Sequence, residues 1–164
     1  MKDLWITPDL IFDGQEVSSG QAVRIVDGKV ADLAVGPEDA LQIKGCLTPG
    51  FVDLQVNGGG GVMLNSSPSL AGMRTIASAH RQFGTVAVMP TVITDAPEVL
   101  AAAAEAAIAA RDDTGIIGLH IEGPHIAKAR RGTHDVNSIR VLDARTMEVN
   151  EIRVPRDAGC GVCG

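Results

Sequence analysis

Aromatic side chains are scarce in this chain of 164 residues, which has one tryptophan, three phenylalanines and no tyrosine. Hydrophobic residues nevertheless make up 45% of the sequence and charged residues 21%, a balance typical of globular proteins rather than of disordered or fibrous ones. Any core must therefore be built from Ala, Val, Ile and Leu. Together with 19 glycines and 8 prolines, which indicate many tight turns, this composition favours a parallel α/β fold.

Clusters of positive charge are also missing. The chain has 14 Lys and Arg against 20 acidic residues, a formal charge of −6, and the Arg130-Arg131 pair is too short to form a basic patch. Nucleic acids and anionic membranes are bound through such patches. We therefore expect neither as a partner.

The sequence contains no long apolar run and no export signal. Its longest apolar stretch, residues 99–110, includes Glu105 and is too short to cross a bilayer, so we expect a cytoplasmic protein. An odd number of cysteines without an export signal argues against a disulfide framework. Cys160 and Cys163 have the spacing of a redox pair or half a zinc site, but no second pair lies nearby.

Two kinds of pattern divide the chain. Residues 1–48 contain short apolar runs interrupted by Asp13-Gly14 and Asp27-Gly28, which are strong signals for β-hairpins and predict a small β module. From Phe51 onward, predicted strands beginning near residues 51, 85 and 116 alternate with helices. This repeat of about thirty residues is typical of a (β/α) barrel or of an open doubly wound sheet, and periodicity does not choose between them.

The predicted helices have recognisable faces and ends. Leu70, Met73 and Phe83 share one face of the first helix, with Gly84 as its C-cap. Asp95, three residues before Glu98, predicts the N-cap of the second.

The pattern weakens after Asp135. Residues 139–147 could form a short helix, and residues 148–164 are predicted to be an irregular tail that is possibly foreign to the fold.

Candidate site residues follow the predicted strands, because parallel α/β folds place their sites at the carboxyl ends of strands. Gln55 and Asn57 end the first strand, Thr91 the second, and His120 and Glu122 the third. A carboxylate beside histidine and amide groups could be half of a divalent metal site. Glu122 could equally cap a following turn or pair with Arg130, and His120 is better explained as a hydrogen-bonded core histidine.

Two further features have structural alternatives. The run from Gly58 to Gly61 lacks the phosphate-binding P-loop pattern and could be either a turn or a substrate-side loop. His125 lies in a loop that could face the site, whereas His80 lies on a helix and is expected to be structural or solvated.

Four blocks of sequence carry a more specific resemblance. In order, they are LTPGFVDLQVNG at residues 47–58, MPTVIT at 89–94, GLHIEGP at 118–124 and RGTHD at 131–135. Together they resemble the N-acetylglucosamine-6-phosphate deacetylase family of the amidohydrolase superfamily. Four blocks in the right order are far more specific than any one of them. The resemblance covers about residues 1–147.

The resemblance implies roles for individual residues. Glu122 matches the family's metal-binding glutamate. Thr133 and His134 match its substrate-contacting pair, with His134 as a catalytic residue that polarises the acetamido carbonyl. Gln55 and Asn57 stand where many amidohydrolases have His-x-His, as in single-metal members, which implies one divalent ion, Zn²⁺ or Fe²⁺. The two amide side chains could orient a bound water.

The resemblance also implies a fold and a reaction. Residues 49–147 would form about the first three βα units of a (β/α)8 TIM barrel, and residues 1–48 would form half of a composite β-sandwich. The reaction would be metal-dependent hydrolysis of N-acetylglucosamine 6-phosphate to glucosamine 6-phosphate and acetate. The partner would be a small sugar phosphate, and the family is typically homo-oligomeric.

Parts of the family pattern are not found in this sequence. The family uses two further metal-binding histidines and an aspartate acid/base on later strands, but no histidine follows His134. A complete barrel takes about 250 residues. We therefore expect a truncated amino-terminal portion of the fold. The alternative to an active deacetylase is an inactive fragment or an interaction module.

Overall fold

The computed structural model of the chain describes residues 3–143 and 148–151. Contacts along the chain separate it into two compact units, Met1–Gly50 and Phe51–Gly164. No helix in the described ranges is long and apolar enough to cross a membrane.

The first unit is a five-stranded mixed sheet. Its strands are β1 (Asp3–Phe12), β2 (Val17–Ser18), β3 (Ala22–Val26), β4 (Lys29–Ala34) and β5 (Leu41–Leu47). The long strand β1 pairs antiparallel with β2 and β3 and parallel with β5, and β3 pairs antiparallel with β4. These strands lie within residues 1–48, for which the sequence predicts a small β module.

Both predicted hairpins are confirmed. Asp27 and Gly28, between β3 and β4, have φ angles of 50° and 79°, the positive values that a type I′ turn requires. Between β1 and β2, the Asp13 carboxylate accepts hydrogen bonds from the backbone N–H groups of Gln15 and Glu16 at 2.8 and 2.9 Å.

The second unit alternates strands and helices. Its elements are β6 (Phe51–Val56), α1 (Leu70–Arg81), β7 (Thr85–Ile93), α2 (Pro97–Ala109), β8 (His120–Glu122), β9 (Arg140–Asp143) and β10 (Glu148–Glu151). The strands β6, β7 and β8 form a parallel sheet in that order, and β9 pairs antiparallel with β10. The predicted alternation of strands and helices is confirmed, but β8 begins at His120 rather than near residue 116, where Ile116 forms only an isolated bridge with Val88.

Small aliphatic side chains form the core of this unit, as the scarcity of aromatics predicts. Met73 and Ile76 of α1 and Val88 and Val92 of β7 are almost fully buried against one another. Phe83, which we predicted on the buried face of α1, is 81% exposed. That prediction is wrong because the helix ends at Arg81, with Gln82 as its C-cap.

The strand β7 is longer than the sequence predicts. The sequence predicts its end at Pro90-Thr91. Instead it continues to Ile93, and residues Thr91 to Ile93 pair with β8. This extension moves the carboxyl end of β7 to Ile93, directly before Thr94.

The start of α2 also differs from the prediction. Asp95 is not its N-cap; that position belongs to Ala96, whose side chain makes no capping hydrogen bond, and Pro97 begins the helix. The Asp95 carboxylate instead accepts hydrogen bonds from the Asn65 amide at 2.8 Å and from the Ala96 N–H at 2.8 Å. Its contact with Asn65 fixes it to the preceding loop.

A β-hairpin replaces the helix predicted for residues 139–147. Residues Arg140 to Asp143 pair with Glu148 to Glu151, so that prediction is wrong. Cross-strand pairing, which the periodicity of a short segment does not reveal, determines the structure here. The strand β10 includes the first four residues of the predicted tail. The remainder of the tail, with Cys160 and Cys163, lies outside the described residues.

Candidate active site

The carboxyl ends of three parallel strands meet at one edge of the second unit's sheet. Gln55 precedes the last residue of β6, Thr94 follows the last residue of β7, and Glu122 ends β8. The register pairs Ile93 with Glu122, which brings the ends of β7 and β8 together. Polar side chains from different parts of the sequence therefore converge at this edge.

Hydrogen bonds join these side chains to His134. The Gln55 amide donates to Oε2 of Glu122 at 3.0 Å, and Oε1 of Glu122 lies 3.2 Å from Nε2 of His134. Nδ1 of His134 lies 2.8 Å from Oγ1 of Thr94. We call these four residues, Gln55, Thr94, Glu122 and His134, the Glu122 network.

The Glu122 network has one buried end and one open end. Thr94 is 4% exposed and His134 is 6% exposed, whereas the Glu122 side chain is 35% exposed and Gln55 is on the surface. A solute can therefore reach the carboxylate, while the far side of the imidazole is shielded from water.

The loop between β8 and β9 brings His134 to this position. It begins with a cis peptide bond between Gly123 and Pro124 and includes a short 3-10 turn over Lys128–Arg130. The backbone N–H of His134 donates to the carbonyl of Arg131 at 3.1 Å. The loop closes where the N–H of Arg140 donates to the carbonyl of Pro124 at 3.0 Å.

Two predicted site residues lie apart from the Glu122 network. Asn57 and Thr133 are exposed, and within the described part of the chain neither side chain is hydrogen-bonded to the four residues. Glu122 is bonded to Gln55 and His134 rather than to Arg130, the alternative partner weighed from the sequence.

The other histidines have separate surroundings. Nδ1 of His120 lies 3.3 Å from the Thr91 hydroxyl, so His120 is hydrogen-bonded as expected, but it is half-buried rather than in the core. Nε2 of His80 lies 2.9 Å from the carbonyl oxygen of Gly58, so His80 links α1 to the glycine-rich loop. His125 is exposed.

Sequence reasoning did not identify Thr94. It belongs to the second of the four sequence blocks, but the predicted strand end placed Thr91 at the site instead. Extending the strand to Ile93 would have identified it, because the next residue then lies at the carboxyl end of the sheet.

The described residues do not by themselves fit the predicted divalent ion. Catalytic zinc is held by three protein ligands. Residues 3–143 and 148–151 contain no group of three or more His, Cys, Asp or Glu side chains placed to hold a metal. The Glu122 network offers one carboxylate and one imidazole that are bonded to each other, and an amide N–H occupies the other carboxylate oxygen.

Comparisons with known proteins agree with the four sequence blocks. No protein-family model matches the chain. An N-acetylgalactosamine-6-phosphate deacetylase from Shewanella sp. (strain ANA-3) is 52% identical over 103 residues, which are 62% of this chain and 26% of that protein. An N-acetylglucosamine-6-phosphate deacetylase from Haemophilus influenzae is 30% identical over 137 residues, which are 82% of this chain and 35% of that protein.

A solved deacetylase structure is also similar to this chain. The crystal structure of N-acetylglucosamine-6-phosphate deacetylase from Pasteurella multocida matches with a TM-score of 0.80 and 27% identity, over 88% of this chain and 40% of that chain. The chain is similar in sequence and fold to amino-sugar-6-phosphate deacetylases. The predicted resemblance is therefore confirmed. The chain spans about a quarter to a third of the length of these curated relatives.

Proposed function

We propose that this chain carries part of the site of a deacetylase that hydrolyses the acetamide of an N-acetylated hexosamine 6-phosphate and releases acetate. One observation carries this proposal: the Glu122 network takes one residue from each of the four sequence blocks that resemble the family. Gln55, Thr94, Glu122 and His134 are far apart in sequence but form a continuous hydrogen-bonded group at the carboxyl ends of parallel strands.

The substrate we propose is either of two epimers. The sequence blocks favour N-acetylglucosamine 6-phosphate, with glucosamine 6-phosphate as product. The Shewanella relative, at 52% identity, is named for the galactosamine compound, which differs in configuration at one ring carbon. Both substrates present the same acetamide and phosphate groups, so both belong in the test.

His134 is the proposed catalytic residue of this chain. An amide carbonyl gains negative charge on its oxygen during hydrolysis, and a fixed hydrogen-bond donor stabilises that charge. The mostly buried imidazole can supply this donor from Nε2 if the carbonyl oxygen replaces Glu122 Oε1 as its partner. Thr133, the neighbouring residue, is proposed to contact the substrate.

Glu122 remains the proposed ligand of a divalent ion, Zn²⁺ or Fe²⁺. It is a single ligand, so the other donors would have to come from outside the described residues. Gln55 and Asn57 are proposed to orient a water molecule at the same edge.

The proposal also includes the finer architecture. The parallel sheet would be the start of a TIM barrel, and the amino-terminal sheet would be half of a β-sandwich. We also propose that the protein is cytoplasmic and forms a homo-oligomer.

The incomplete ligand set favours a second candidate, in which the chain alone is inactive or serves as an interaction module. Hydrolysis of an amide needs a nucleophile stronger than neutral water and a group that moves the proton to the leaving amine. Among the described side chains, the Glu122 network alone joins a carboxylate and an imidazole at the predicted site, and it supplies only the donor and one ligand. We expect no turnover from this chain by itself.

Acetate release from both epimers tests the two candidates. The full chain is assayed at high concentration with added Zn²⁺ or Fe²⁺, beside Glu122→Gln and, as a matched control on the exposed face of α2, Glu105→Gln. Activity lost only in Glu122→Gln would establish the deacetylase and exclude the inactive candidate. His134→Asn would then lower kcat/KM by about 10². Release that is undetectable, or equal in all variants, would reject an active chain.

A further inference from the structure

The hydroxyl of Thr94 lies beside the buried nitrogen of His134. Its Oγ1 is 2.8 Å from Nδ1, and Thr94 is itself 4% exposed. We infer that Thr94 is a positioning residue, whose hydroxyl donates to Nδ1 of His134 and thereby keeps the ring N–H on Nε2, facing the carboxylate of Glu122.

The single hydroxyl proton has two acceptors within reach. One is Nδ1 of His134 at 2.8 Å, and the other is the backbone carbonyl of Glu122 at 3.4 Å. A distance of 2.8 Å is close to the optimum for a hydroxyl donor, whereas 3.4 Å is beyond the usual range. The shorter contact favours Nδ1 as the acceptor of the hydroxyl proton, which places the ring N–H on Nε2.

The other side of the ring supports the same assignment. Nε2 lies 3.2 Å from Oε1 of Glu122, and an ionised carboxylate can only accept hydrogen bonds. If Nε2 carries the proton, both contacts of the ring are paired as donor and acceptor. In the opposite neutral tautomer, the Nε2 lone pair would face Oε1 of Glu122. No hydrogen bond could then form between these two acceptors.

The Asn65 side chain contacts both neighbours of Thr94, the backbone of Ile93 before it and the carboxylate of Asp95 after it. Its Oδ1 accepts from the N–H of Ile93 at 3.0 Å, and its Nδ2 donates to the carbonyl of Ile93 at 3.1 Å. The same amide nitrogen donates to the Asp95 carboxylate at 2.8 Å. These contacts hold the chain on either side of Thr94 and so keep its side chain next to His134.

Gly123 faces Thr94 and leaves room for its hydroxyl because glycine has no side chain. A Cβ added at Gly123 would overlap Oγ1 of Thr94. Thr94 is thus closely enclosed by Gly123 on one side and His134 on the other.

The assigned tautomer bears on catalysis, and this consequence rests on the proposed function. A substrate carbonyl needs a donor at Nε2, and the opposite tautomer would present a lone pair to it. The tautomer itself is independent of any activity. It can therefore be measured on the chain as it is.

Long-range ¹H–¹⁵N NMR of the histidine rings at neutral pH tests the assignment. The chain has four histidines, so the spectrum of the full ¹⁵N-histidine-labelled protein is simple. We expect the pattern of the Nε2–H tautomer for His134. Thr94→Val, which removes the hydroxyl at constant shape, should replace it with averaged shifts of two mixed tautomers, and Thr94→Ser should restore it.

A matched threonine–histidine pair provides the control. Thr91→Val should change the signals of His120, whose Nδ1 faces the Thr91 hydroxyl, and leave those of His134 unchanged. An Nδ1–H or doubly protonated His134 in the wild type would overturn the inference, as would an unchanged His134 in Thr94→Val. An inactive chain with the expected pattern would support this inference and, separately, the inactive candidate of the proposed function.

Discussion

Gly123 illustrates how a single residue determines the geometry of the candidate site. It follows Glu122 directly, has a φ of +86°, and lies where any side chain would meet the Thr94 hydroxyl. A residue with a Cβ at this position would be strained twice, once by its backbone conformation and once by the overlap. The close contact between the ends of β7 and β8 therefore depends on glycine.

The substitution Gly123→Ala should lower the free energy of unfolding by about 3 kcal/mol, combining left-handed backbone strain with overpacking. Gly132→Ala is the matched control, because Gly132 has a φ of +57° and open space around it. Its cost should be about 1 kcal/mol, from the backbone alone. Urea denaturation measures the free energy of unfolding of both variants. An equal decrease in the two would show that the overlap with Thr94 does not contribute to the cost of Gly123→Ala.

Individual site residues differed in how far the sequence could identify them. Glu122, Gln55 and His134 could be named because each lies in a distinctive block and because the carboxyl ends of parallel strands lie at one edge. Thr94 could not, because the predicted strand ended at Pro90-Thr91, and a proline, which lacks a backbone N–H, gives no local signal that pairing continues beyond it. Here β8 pairs with the three residues after Pro90, so tertiary pairing extended the strand beyond its local signal.

At the scale of elements, the two helices begin in different ways. Ser69 caps α1, since its side chain accepts a hydrogen bond from the N–H of Gly72 at 3.1 Å. Ala96, at the same position of α2, has an extended backbone conformation but no oxygen to offer. The first N–H groups of α2 therefore lack the side-chain partner that α1 has.

This difference predicts opposite effects of two substitutions. Ser69→Ala should lower the free energy of unfolding by about 1 kcal/mol, because it removes a cap. Ala96→Ser should raise it by about 0.5 kcal/mol, because it supplies one to α2. Thermal and urea unfolding of both variants beside the wild type measure the changes, and each variant is the control for the other. A loss of stability in Ala96→Ser would contradict this account of α2.

Elements with strong local signals were predictable, whereas those defined by distant partners were not. The hairpin turn at Asp27-Gly28 and the repeat of βα units follow from local conformational preference and periodicity. The hairpin of β9 and β10 could not be found in this way, because its strands are only four residues each and their pairing defines them. Likewise, Asp95 has the sequence signature of a cap, but its carboxylate binds Asn65, thirty residues away.

At the scale of the whole molecule, the sheet of the second unit leaves apolar surface open. The strand β6 is at one edge of that sheet in the described structure. Phe51, Val52 and Leu54 on this strand are 67%, 58% and 58% exposed. An exposed apolar edge strand can pair with another chain, so this edge is where association would begin.

We therefore expect the chain to self-associate with rising concentration, and Leu54→Lys to suppress this by placing a charge on the edge strand. Sedimentation velocity over a concentration series measures the effect. A reducing agent is needed, because three cysteines could otherwise link chains. Val35→Lys is the matched control, since Val35 is 84% exposed but belongs to the first unit. If Val35→Lys suppressed association as strongly, or if the wild type stayed monomeric throughout, the edge of β6 would not be the contact.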